Sequence, residues 1–357
     1  MESHPEARGG RHDGTAAVGV RVATLAPTQP SQVISAAVPH PIHRHFLFTA
    51  RSSLYTLLLL AVASASGAYG VRKYGIFNCQ ASAYGPDTYL SYCAATSYGD
   101  YDHGAVWFGL EPAATAAAAS SRVLFLGNSR TQFAFSTKAT ADWFSSISKS
   151  YYLLGFSHFE NSTFELPLIR KLDAQATVYV INIDSFFDRT ETGPGKTVMR
   201  DQAAMTRYEE KRRWQSIHEA SCTAVKALCG NREAIFRSRS TGSWVMRGGR
   251  FTSEPVSYNE NLDEGVLASY IALEKELLPG IPGSHSCIIM TIIPTVKTEI
   301  GTARAVAAAL GRDLIAPRLS GLVTFDGVHL DERSAQRWSR AFFDEAGPQI
   351  RKCLNNR

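Results

Sequence analysis

Apolar positions along this chain change rhythm twice, and each stretch predicts a different kind of structure. Up to about residue 44 they are scattered among Pro, Gly, Ala, Ser and His without a period. Such a segment buries too little surface to offset the entropy of ordering it, so residues 1–45 are expected to be a disordered tail. From Phe46 to Val71 the apolar residues run almost continuously, and Ser52 to Val71 carries no charge. About 20 uncharged residues are what a helix needs to cross a bilayer, so a membrane anchor is expected over 46–71. A late-starting signal peptide, cleaved near the small residues Ala63-Ser64-Ala65, and a soluble core helix are the alternatives. Arg8, Arg11, Arg21, Arg44 and Arg51 precede the run, and Asp87, Asp100 and Asp102 follow it. That bias favours a cytoplasmic N-terminus and an extracytoplasmic remainder, periplasmic in a Gram-negative envelope. Residues 72–120 read as a lead-in linker.

From Ser121 onward, short apolar runs alternate with helix-period segments. Strands are expected at Arg122–Gly127, Tyr151–Leu154, Thr177–Ile183, Ile288–Ile293 and, briefly, Leu314–Ile315. Helices are expected at Thr137–Ser148, Phe164–Leu172 with Asn161 or Ser162 as cap, Leu262–Leu278, Thr298–Leu310 and Glu332–Ala346 capped by Asp331. Alternation of this kind, with strands apolar throughout, predicts an α/β domain over 121–357, in which a central parallel sheet is covered by helices on both faces. Ligands in such folds bind at the carboxyl ends of the strands. Residues 186–258 break the rhythm and are too long for a bare connection. They read as an insertion over the active-site edge, with a helix near Gln202–Leu228, and in them Lys and Arg outnumber Asp and Glu.

Composition narrows the picture further. An apolar fraction of 45% in 357 residues supplies one sizeable core. Net charge is only +5, and no block of Lys and Arg suggests nucleic acid as a partner. None of the six cysteines stands in a Cys-x-x-Cys pair or at zinc spacing from a histidine, so neither metal nor cofactor is expected. Cys79 with Cys93, and Cys222 with Cys229, read either as disulfides of an oxidising compartment or as ordinary thiols. Cys287 opens an apolar run and reads as a buried core thiol.

Two short motifs carry the candidate chemistry. Gly127-Asn128-Ser129 lies where the first strand gives way to a helix-like segment, so Ser129 is placed at a strand's carboxyl end near backbone N–H groups. A serine hydroxyl needs a base to become a nucleophile. Asp326-Gly327-Val328-His329 supplies one: an Asp and a His three residues apart on a turn can meet, the carboxylate orienting the imidazole. Either motif alone also describes an ordinary turn.

Taken together, in this order and separation, they resemble the SGNH (GDSL-like) hydrolase family over about residues 122–350. The likeness is closest to its cell-envelope and polysaccharide O-acylation branch. Asn128 stands where the family usually has Asp. The resemblance implies a three-layer α/β/α domain with Ser129, Asp326 and His329 as the catalytic triad. It implies Gly155, in Leu153–Ser157, as one oxyanion donor. The family's Gly-x-Asn-Asp block is represented by Val180–Ser185, which nominates Asn182, with Asp184 or Ser185 as occupants of the same spot. Arg130 reads as a substrate-anion partner or a structural salt bridge, and His158 and Asp184 as cleft residues or local hydrogen-bonding groups. Trp244 with Arg247 and Arg250 reads as a sugar-stacking, anion-binding lip or as a half-buried Trp in a basic loop. The resemblance further implies an extracytoplasmic serine esterase or O-acyltransferase acting on a cell-envelope or exported polysaccharide. Its partners would be an acyl-ester or acyl-donor substrate, a glycan acceptor, the membrane and an envelope-biosynthesis complex. The competing expectation is a catalytically relict glycan-binding or assembly subunit.

Overall fold

The computed structural model describes residues 43–95, 97–282 and 287–356. Most of the expected tail, residues 1–42, lies outside them. The chain divides into two units, Met1–Leu60 and Ala61–Arg357, and the first helix, α1 (His43–Tyr74), runs through the boundary. In the first unit Leu54, Tyr55 and Leu57 to Leu60 are all exposed. A helix that presents leucine to its surroundings suits hydrocarbon better than water. Arg51–Tyr74, 24 residues, is long and apolar enough to cross a membrane.

The second unit continues with β1 (Thr88–Cys93), β2 (Gly99–Asp100), α2 (Asp102–Trp107), α3 (Pro112–Ser120) and β3 (Val123–Leu126). Then come α4 (Ser129–Ala134), α5 (Thr137–Ile147), β4 (Tyr151–Leu153), α6 (Ser162–Lys171) and β5 (Val178–Asn182). The insertion holds α7 (Gly193–Arg200), α8 (Ala204–Ala224), β6 (Ala234–Ser238), β7 (Trp244–Arg247) and β8 (Glu254–Pro255). The chain closes with α9 (Glu264–Leu277), β9 (Cys287–Thr291), α10 (Ile300–Ala309), β10 (Val323–Thr324) and α11 (Glu332–Asn355).

Four strands form a parallel sheet in the order β4-β3-β5-β9. Side chains alternate across a strand, so each strand feeds two cores. Leu124, Leu126, Tyr179, Ile181 and Met290 pack on one face with Phe164 and Ile169 of α6 and Val306 of α10. Val123, Phe125, Val178, Val180 and Ile289 pack on the other with Phe144 of α5 and Trp338, Phe342 and Phe343 of α11. Burial on both faces is why these strands read as unbroken apolar runs. Asn161 caps α6, its side chain accepting from the Thr163 N–H at 2.9 Å, and Asp331 caps α11, accepting from Ser334 at 2.7 Å. The expected strand at Leu314–Ile315 is a single parallel bridge from Leu314 to Met290.

A second, antiparallel sheet has the order β2-β1-β6-β7. It joins residues near 90 to residues near 236, so part of the expected lead-in is folded structure paired to the insertion. Its strands were not legible beforehand because neither segment is apolar throughout. Cys79 pairs with Cys93 and Cys222 with Cys229. Cys287 is not the expected free thiol: it is bonded to Cys353, which ties the start of β9 to the end of α11. The two are 66 residues apart, a separation no local spacing rule covers. His218, Cys222 and Cys229 bring donor atoms within 4.8 Å of one another, but two of the three are spent in the disulfide.

Candidate active site

The site begins where β3 ends. Gly127 takes φ 141°, and a Cβ there would lie 2.4 Å from Thr131 Oγ1, so the turn needs glycine. The Gly127 N–H donates to both carboxylate oxygens of buried Glu165, at 3.1 and 3.0 Å. Burial, with Glu160 nearby, pushes the Glu165 carboxyl well above the usual range. Asn128 follows, fully buried; its Oδ1 accepts from the Arg130 N–H at 2.9 Å, capping α4, and its Nδ2 donates to Ser185 Oγ at 3.1 Å. These bonds hold Ser129 at the first position of α4.

The Asp326–His329 turn arrives from β10. It is closed by the Phe325 N–H bonding to the His329 carbonyl at 2.9 Å, with Gly327 at φ 86°. Asp326 Oδ1 accepts from the N–H groups of Val328 and His329 at 3.1 and 2.9 Å, and Oδ2 accepts from His329 Nδ1 at 2.7 Å. Burial works against ionising Asp326, but His329 and the two backbone donors outweigh it and hold the carboxyl below its ordinary range. An ionised carboxylate only accepts, so His329 carries its proton on Nδ1 and leaves Nε2 as an acceptor. Ser129 Oγ stands 2.8 Å from that Nε2. The imidazole is held between rings, with Phe133 edge-on at 4.9 Å and Phe325 stacked at 5.4 Å.

Gly155 approaches from the other side. A Cβ on it would come within 2.6 Å of the Asn128 carbonyl oxygen, so the chain after β4 can lie against the nucleophile turn only as glycine. Its carbonyl accepts from Gln132 Nε2 at 2.9 Å and from Arg237 Nη2. The Gly155 N–H is engaged by no other protein group among the described residues, and the Ser129 N–H lies at the parallel bridge between Asn128 and Phe156. Asn182 is the last residue of β5. It is buried beneath the turn against Gly127, its Oδ1 accepts from the Asp184 N–H at 3.4 Å, and its Nδ2 faces no partner. It does not line the cleft that opens on Ser129.

That cleft has a volume of about 290 Å³. Ser129, Asp326 and His329 line it with Phe133, Phe159, Phe251 and Phe325, and the antiparallel sheet supplies a wall of Tyr92, Ile235, Trp244 and Met246. His158 and Glu233 also reach it. Burial lowers the His158 imidazole and raises the Glu233 carboxyl.

Arg130 forms the structural salt bridge, paired with Asp184 and lying over the Phe159 ring at 5.3 Å. Trp244 is buried and walls the cleft. Arg247 is exposed, donates to the Met246 carbonyl at 2.9 Å, and lines a neighbouring cavity of about 410 Å³. Arg250 is exposed and lines neither cavity. Two supporting residues escaped the sequence reading, Glu165 and Arg237. Their only signal is a charge inside an otherwise apolar segment. The chain matches no protein-family model, no curated protein and no solved structure.

Proposed function

We propose that this chain is a serine esterase or O-acyltransferase of the SGNH type, anchored to a membrane by α1 with its catalytic domain outside the cytoplasm. One observation carries the reading: the continuous relay from Asp326 through His329 to Ser129, at 2.7 and 2.8 Å. Outward-facing leucines on α1 and three disulfides support the location.

The geometry suits acyl transfer. His329 Nε2 takes the proton as Ser129 Oγ bonds to an ester carbonyl carbon. The oxyanion is met by the N–H groups of Ser129 and Gly155. Collapse breaks the bond to the leaving alcohol, whose oxygen takes the proton from His329. Water, or the hydroxyl of a glycan acceptor, then attacks the acyl-serine with the same base, releasing an acid or a new ester. The imidazolium formed in each half is stabilised by Asp326.

A fluorophosphonate probe tests the reading. The folded wild-type protein should label on one serine, and Ser129→Ala should not label. His329→Ala should reduce ester turnover about 10⁴-fold, with a melting temperature close to wild type. Absence of labelling in folded wild type would favour a relict, binding-only protein.

A further inference from the structure

Glu233 stands immediately before β6, and side chains two apart along a strand share a face. On this face Glu233 reaches the catalytic cleft, Ile235 forms part of its wall, and Arg237 lies buried under Phe156 and Trp244, its guanidinium 4.7 and 5.5 Å from the two rings. Arg237 is spent on Asp102 and on the Gly155 carbonyl. Arg130 is spent on Asp184. The Glu233 carboxyl, half-buried, has no hydrogen bond or ion pair among the described residues, although it opens on the same cavity as Ser129 and His329. Among the described residues, the acidic groups lining the cleft are therefore Glu233 and Asp326, and no lysine or arginine lines it. Tyr92 and Phe251 line the cleft beside Glu233, and Trp244 walls it farther along the sheet, opposite Arg237.

A carboxyl among aromatic rings is equipped for one kind of ligand. The rings cover the C–H faces of a sugar-like ring, and the acid accepts its O–H groups. An acidic ligand would add a further negative charge to a partly desolvated space, where like charges are screened less than in water.

Building on the ester reading of this site, we infer that Glu233 is a substrate-binding residue that selects an uncharged polyhydroxyl acyl carrier, a neutral sugar ester, by accepting hydrogen bonds from its hydroxyl groups, and that it turns away carriers bearing carboxylates. Burial raises the carboxyl and outweighs the lowering pull of nearby His329, with Asp326 adding a smaller push upward. Arg247 and Arg250, outside this cleft, do not offset the selection.

The test is binding to the full chain in nanodiscs, in a Ser129→Ala background, so that it stands apart from whether Ser129 reacts. The probes are a methyl glucoside and a methyl glucuronide carrying the same O-acetyl group, titrated by ligand-observed NMR. The glucoside should bind about tenfold more tightly than the glucuronide. Glu233→Gln should bring the two within about threefold, and Glu233→Lys should invert the preference. If the lysine variant does not fold, the near-isosteric glutamine variant decides. Equal binding of the two sugars by the Glu233 protein, a preference for the glucuronide, binding of neither, or a preference untouched by Glu233→Gln overturns the inference. Loss of fluorophosphonate labelling in wild type would instead overturn the ester reading and leave this binding result standing.

Discussion

The parallel sheet and the antiparallel sheet come together at Gly155, and they reach it differently. The parallel sheet brings the peptide there through a short apolar edge strand, β4, whose neighbour β3 is fully buried and pairs in turn with β5. The antiparallel sheet brings Arg237, a charge with no exposure at all, from a strand that pairs with a segment nearly 150 residues earlier. The first sheet sets out reactive groups by strand ends and turns, with little demand on distant residues. The second closes the cleft and braces it with buried charges, each needing a partner from elsewhere: Arg237 with Asp102, and His103 with Asp100 and Glu160. On the proposed reading, chemistry and selection are carried by different sheets, and perturbing each should fail differently.

The largest effect expected is on the bracing. Arg237→Met strands buried Asp102, whose carboxyl is raised by burial even with Arg237 beside it. Breaking a buried pair from one side costs about 3–5 kcal/mol. Chemical denaturation should show a loss of that size, together with reduced turnover, because the Gly155 carbonyl loses a donor. A loss below about 1 kcal/mol would mean that the second sheet is only a cover.

Gly155→Ala sharpens the contrast from the other side. Its Cβ must displace the Asn128 carbonyl, so the N–H moves off the oxyanion position. Turnover should fall about 10²–10³-fold, the usual cost of one such donor. Fluorophosphonate labelling should slow in parallel. Unchanged turnover in the folded variant would remove Gly155 from the oxyanion hole.

A smaller effect concerns pH. Burial alone would push His103 down, but the charges and hydrogen bonds of Asp100 and Glu160 outweigh it and lift the imidazole to about 10, while Asp100 is held at about 2. A raised folded-state value means that the stabilisation is complete below the ordinary 6.5 and is lost as pH rises through about 10. Stability should therefore decline between those values, and His103→Gln should flatten the decline. An identical pH profile in that variant would show that the network carries no charge.

Much of the parallel sheet was legible in the residues. β3, β4, β5 and β9 fall on the expected apolar runs, because a strand buried on both faces must be apolar at every position. The caps Asn161 and Asp331 could be read because capping depends on a few neighbouring residues. The meeting of Asp326 with His329 was readable for the same local reason, and Ser129 because it stands where a strand ends. The two readings of Trp244 with Arg247 and Arg250 stayed open in the sequence because counting charges in a segment does not say which way they point. Arg247 lines the neighbouring cavity, which Trp244 also borders, and Arg250 is exposed.

By itself, then, the sequence determined whatever rests on near neighbours: strand identity, helix starts, the Asp–His turn and a helix apolar enough for a bilayer. Tertiary structure alone decided that Cys287 reaches Cys353, that β1 pairs with β6, that Asn182 lies beneath the turn, and that the open charge in the cleft is Glu233. The physical reason is the range of the interactions. Hydrogen bonding and periodicity act over a few residues and leave a local pattern. Ion pairing and packing act on whatever the fold brings within a few ångströms, and the partner of Arg237 or the place of Glu233 in the cleft follows from that meeting.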